Sequence, residues 1–371
     1  MREITAPTAL LSPTGALDPA ALGFSRRPLH TVDGLPRGLF HGWRTKCWDR
    51  WVVVTPEVLV GLTVADLDLG ALVRIMAVDR ATGHEIDQSA VRIPTPRDAV
   101  DLPTGLPPFF ARGTLGELSL RFDAAAEDRT VLRAETARVS LVIEVDAAVE
   151  SLSTALSLGP GRYRYSVNRP GLPATGLVVL DGQDLPVEHG WAALQRTRGR
   201  FPRRTRHLWS CGAGVGRTGE RIALVLSGPD TVGTDPTRPA QRGTTSGGPA
   251  GAVGSGHVAA GSSADAALEA QQENALFRAG RLLGPRSGVT WSIPEDPDQP
   301  WKVSGDWIEA TLRPWHTRAA ADSAGLVRER LTQTFGTWSG HAAVEGSLAE
   351  GGESVDLDGL TGWVERSDRH W

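Results

Sequence analysis

The sequence predicts an all-β protein built as two antiparallel barrels or sandwiches in tandem, and three observations predict it. Short apolar runs rich in β-branched residues recur along the 371 residues, punctuated by 25 Pro and 43 Gly. Where polar and apolar residues alternate, they do so with a period of two, not 3.6. No helical segments alternate with these runs, as a parallel α/β sheet would need.

The elements follow in order. After a Pro-rich start, Trp51 to Thr55, Val58 to Ala65 and Leu72 to Val78 form a β-meander, divided by Pro56 and the turn "DRATG" at 79–83. In "GELSLRF", Leu118, Leu120 and Phe122 alternate with polar neighbours, and Thr130 to Val145 holds two more strands around "ETAR". "RYRYSVN" (162–168) and "ATGLVVL" (174–180) read as a pair around "RPGLP", followed by a turn at Asp181-Gly182. Strand-like fragments return near Trp291, at Trp307 to Leu312, Thr337 to Val344 and Ser354 to Glu365. Between Pro229 and Gln272 the chain is Gly, Ser, Thr, Pro and Ala with almost no large apolar residue, which reads as a disordered insert. The expected division is 1–150 for the first half, with an N-terminal extension, and 151–371 for the second, which contains the insert.

A formal charge of −4 gives no global attraction to nucleic acid or anionic membranes. Only Lys46 and Lys302 among the 39 basic residues are lysines, so an arginine cluster here carries less information than usual. No signal-peptide core or window of about 18 apolar residues is present, so a cytoplasmic protein without a membrane span is expected. The nine His and two Cys show no metal-ligand spacing, and no dinucleotide fingerprint stands in its context; neither metal nor cofactor is expected.

"CGAGVGRTGERIAL" (211–224) has the spacing of a tyrosine-phosphatase loop, in which Cys211 would be the thiolate nucleophile and Arg217 the phosphate clamp. The lead-in "RRTRHLWS" is no buried apolar strand, no Trp-Pro-Asp general-acid loop lies upstream, and "RIALVLS" suits a strand. The run is read as a hairpin, with the phosphatase kept as an alternative. The six arginines from Arg196 to Arg206 read as a paired or solvated face, with Arg204 on one side of a strand and Trp209 on the other. In "WDRW", Trp48 lies on the opposite face from Asp49 and Trp51. Trp363 and Glu365 make a similar set in "GLTGWVER". Each set can close a barrel end or line a pocket, and burial would raise a carboxylate's pKa toward that of a general acid.

Several fragments, in order, resemble a bacterial family, the domain of unknown function numbered two-eight-zero-four: "LLSPTGALDPAALGFSRRPLH", "KCWDRWVVVTPEVLVGLTVADLDL", "RGRFPRRTRHLW", "ENALFRAGRLL", "PWKV", "FGTWSGH" and "DLDGLTGWVERSDRHW". Gln195, Arg196, Arg203 and His207 depart from the family pattern. The resemblance implies a tandem lipocalin-like architecture, a scaffold shared with carotenoid hydratases and natural-product cyclases. On that footing the chain is expected to enclose a small hydrophobic or amphipathic ligand, with Trp48, Trp51, Arg204, Trp209 and Trp363 as binding residues. The alternative is a hydratase or cyclase with Asp49 and Glu365 as its acids.

Overall fold

The computed structural model describes residues 1–95, 98–126, 128–228, 273–324 and 327–370. Strands and three short 3-10 turns make up its regular structure. The insert read as disordered, 229–272, lies outside the described residues. Among the described residues no helix is long and apolar enough to cross a membrane.

Two curled antiparallel sheets form the body. In the first, Glu85–Arg92, Ala71–Asp79, Val58–Asp66 and Thr45–Val54 form the meander, which joins Gln183–Arg200 and Tyr163–Leu180 and continues to Phe110–Leu115. It curls because its far strands pack back on the meander: Gly113 sits where a Cβ would come within 2.9 Å of Val64 and Val73. The second sheet runs from Arg281–Pro285 through Arg221–Gly228, Arg204–Val215, Thr361–His370, Val327–Ala343 and Ile308–Ala324 to Thr290–Ser292. The changeover falls at residues 201–203, so that 151–200 hydrogen-bond within the first sheet.

The "RYRYSVN" and "ATGLVVL" segments do not pair with each other. They are parts of one strand, Tyr163–Leu180, whose register against Gln183–Arg200 shifts at 169–172 and again at 174–176. The bulges accommodate "RPGLP": proline lacks an N–H for the ladder, and Gly171 takes a left-handed φ of +71°. The turn at Asp181-Gly182 is present, both residues having positive φ.

Strand alternation gives the three largest cores among the described residues. Trp51, Val53, Leu62, Ile75, Phe122 and Ile143 fill the inside of the first sheet. Leu208, Leu224, Trp301, Trp307, Trp338 and Val364 fill the second. Residues of opposite parity, including Val52, Met76, Trp191, Trp209, Phe335 and Trp363, pack the outer faces of the two sheets against each other.

Candidate functional site

The interface between the sheets is where charge collects. On the first sheet the ladder sets Arg74, Thr63, Arg50, Gln195 and Asn168 side by side across five strands. On the second it aligns Arg318, Gln333, Glu365 and Trp209. The two rows meet where Arg50 donates to Glu365.

From that contact the polar groups form one network. Glu365 also accepts from Arg369 at 3.3 Å and from Gln333 at 3.5 Å. Arg318 donates to Gln333 at 2.7 Å, to Glu85 at 2.9 Å and to Asp87, while Arg74 forks onto Asp87 at 2.8 and 2.5 Å. Arg369 donates to Glu329 at 2.5 Å and packs 5.6 Å from the Trp48 ring. His316 meets Glu85 at 3.0 Å. Four guanidiniums thus face four carboxylates contributed by both sheets. Burial opposes ionisation of Glu329, but Arg369 outweighs it and holds the carboxyl below the usual range. Burial likewise opposes Glu85, and hydrogen bonds from His316 and Arg318 hold it low.

Beside the network lies a cavity of about 80 Å³. Arg50, Arg74, Arg318, Glu329, Gln333 and Arg369 supply its polar lining, and Trp48, Leu72, Met76 and Leu331 its apolar lining. By this measure a water takes roughly 10–15 Å³, so the enclosed part holds a few waters or the polar end of a larger molecule. Gly61 helps keep it open, since a Cβ there would lie 3.0 Å from the Met76 methyl carbon. Among the described residues, no three His, Cys, Asp or Glu side chains converge as a metal site requires.

Of the residues named from sequence, Trp48 lines this cavity and Glu365 lies against its polar lining. Trp51 is in the first core, edge-on to Phe122 at 6.4 Å. Trp209 and Trp363 are deep in the interface, 5.5 Å apart, with Trp191 stacked on Trp363 at 5.9 Å. Arg204 is at the surface, forked onto Asp368 at 3.0 and 2.6 Å. Asp49 lies on the other face of its strand, held by Arg196 at 3.0 Å and Arg198 at 2.8 Å. Burial would raise its pKa, but the two arginines win and lower it, an environment that favours the carboxylate over the protonated form a general acid needs.

The phosphatase alternative is also corrected. Cys211 is mid-strand, laddered to Val225 on one side and Trp363 on the other, and its thiol is wholly buried. Burial pushes that thiol's pKa well up, the opposite of what a phosphate cradle does. Arg217 is 78% exposed in the hairpin turn, 3.6 Å from Asp356. The Gly/Ala composition has a packing cause: a Cβ on Gly212 would strike Trp338, and one on Gly214 would press on Leu360.

Sequence reading missed Arg50, Arg74, Arg318, Glu329 and Arg369. Arg74 left a signal, a single charge inside the apolar run "ALVRIMAV". Arg318, before three alanines, and Glu329, between two arginines, left none.

No curated protein matches the chain in sequence. Solved structures resemble its fold. An AttH-like protein, NE1406, from Nitrosomonas europaea superposes with a TM-score of 0.53 at 14% identity, over 91% of this chain and 98% of that one. CghA does so at 0.51 and 12%, over 87% of each chain, and CghA with Sch210972 at 0.50 and 11%, over the same shares. At these identities the likeness shows the fold alone. A family model described as a domain of unknown function, DUF2804, matches residues 1–236 and 261–371, and the chain belongs to that family.

Proposed function

We propose that the protein binds a small amphipathic molecule between its two sheets. Its oxygen-bearing end would lie on the arginine–carboxylate network and its apolar body against Trp48, Met76 and Leu331. The carrying observation is the network itself. Burying ion pairs is costly, and apolar side chains of similar volume serve stability as well or better, so eight charged groups beside a cavity are better explained by a ligand than by folding. Such a lining offers donors and acceptors together, which suits hydroxyl or carbonyl groups. CghA, similar in fold, has been solved with Sch210972, which is in keeping with a small-molecule partner.

A second reading, an enzyme of hydratase or cyclase type, is favoured by Glu329. It lines the cavity and is held ionised, so it is suited to accept a proton, not to give one. One set of titrations tests both readings, using the neutral probe N-phenyl-1-naphthylamine. Saturable uptake by the wild type, weakened about tenfold or more in Gly61→Val, is expected; equal uptake by the two would refute the site. Glu329→Gln is expected to keep uptake, and the enzyme reading is lost if a turnover found in the wild type survives that change.

A further inference from the structure

A second cavity opens between the same two sheets, four residues further along the strand Thr45–Val54. It touches Val54 where the first touches Arg50, a separation of about 13 Å. Its volume is about 610 Å³, within the roughly 300–1,000 Å³ of small-molecule pockets. The backbone explains why it is there. The bulge at "RPGLP" brings Gly171 so close to the other sheet that a Cβ would lie 3.0 Å from the Ala223 methyl and 3.3 Å from that of Ala213. With only glycine and alanine at this contact, the space beside it stays unfilled. The small residues of "CGAGVG", which build no phosphate loop, form one wall of this cavity.

The lining is apolar and one-signed. Trp191, Phe277 and Ile222 give it an apolar interior, and Val215 leaves an apolar rim that is 63% exposed. Among the described residues, Arg80, His189 and Arg221 are its only ionisable side chains, and no Asp or Glu lines it. Arg80 is set by a hydrogen bond to the Thr55 carbonyl and by lying 4.0 Å over the Trp315 ring. The acidic group that acts on Arg80 is Glu57, which lies outside the lining and is hydrogen-bonded by Thr55 at 3.2 Å. Arg221 has no carboxylate partner among the described residues. This differs in kind from the first cavity, where every guanidinium is met by a carboxylate.

We propose that this second cavity binds an amphipathic monoanion, an apolar chain or ring system bearing one carboxylate. The apolar part would lie along Trp191 and Phe277, and the carboxylate would take charge-assisted hydrogen bonds from Arg221 and Arg80 at the opening. This site is independent of the ligand proposed for the first cavity.

The test is calorimetric titration of the full chain with dodecanoate and with dodecanol, which share an apolar tail and differ in charge. Dodecanoate is expected to bind saturably and at least about tenfold more tightly than dodecanol. The double variant Arg221→Glu/His189→Glu should abolish that preference by weakening dodecanoate binding at least about tenfold, and Gly61→Val should preserve it. Equal affinity for acid and alcohol, or a preference that survives the double variant, overturns the proposal. A preference lost in Gly61→Val instead overturns it by assigning the anion to the first cavity. Because Gly61→Val blocks only the first cavity, failure of one site is distinguishable from failure of the other.

Discussion

Asp49 and Glu365 are both buried carboxylates met by arginine, and they differ in what lies on their side of the strand. Two residues of the same type in two Trp-flanked motifs looked equivalent in sequence, where period-two alternation tells which neighbours share a face but not which face meets a cavity. Trp48 and Glu365 stood out as candidates because a large aromatic or a carboxylate in a strand is unusual, and the structure sets both beside the first cavity. Arg50 was not, hidden between Asp49 and Trp51 in a chain whose positive charge is nearly all arginine. His207 gives this scale its pH dependence. Burial, then the fields of Arg164 and Arg369, lower its pKa to about 3. The unfolded imidazole titrates near 6.5, so between these values the unfolded chain holds more protons than the folded one. Stability from this group is full above pH 6.5 and is lost as pH falls toward 3. Some exposure of the ring tempers the effect, and a loss of about 1–2 kcal/mol between pH 7.5 and 5 is expected in urea unfolding, reduced in His207→Gln. The same loss in the variant would assign the dependence to other groups.

Among the elements, the meander was readable as short apolar runs rich in β-branched residues, buried on both faces, and the "GELSLRF" strand as alternation, with one face in the core and the other exposed. The strand Tyr163–Leu180 was misread as a pair, since two prolines and a glycine punctuate a turn and a doubly bulged strand in the same way. The hairpin of Arg204–Val215 and Arg221–Gly228 was legible from its lead-in and its apolar run, against a motif that matched a phosphate loop residue by residue. That element has a direct check. In a Cys47→Ser background, Cys211 is expected to resist iodoacetamide at pH 8 until the chain is unfolded, indifferent to phosphate or vanadate. Rapid alkylation near pH 6 that phosphate slows would mean a loop in place of the strand.

For the whole molecule, the all-β tandem architecture followed from patterning, and the family from the order of its fragments. The location of the cavity did not follow. The sequence placed a ligand inside a barrel, by analogy with single barrels, whereas side chains such as Phe122 and Trp338 fill most of the described interiors, leaving about 50 Å³ beside Trp51 and Phe122, and the two cavities considered above lie between the outer faces of the sheets. Which faces meet depends on how each sheet curls, a property of long-range packing that alternation along one strand does not encode. The most direct measurement is therefore a crystal structure of the protein soaked in N-phenyl-1-naphthylamine. Density for the probe is expected between Trp48, Gly61 and Leu331, with both sheet interiors unchanged. Density instead inside the first sheet around Trp51 and Phe122, with the inter-sheet cavity empty, would contradict the account.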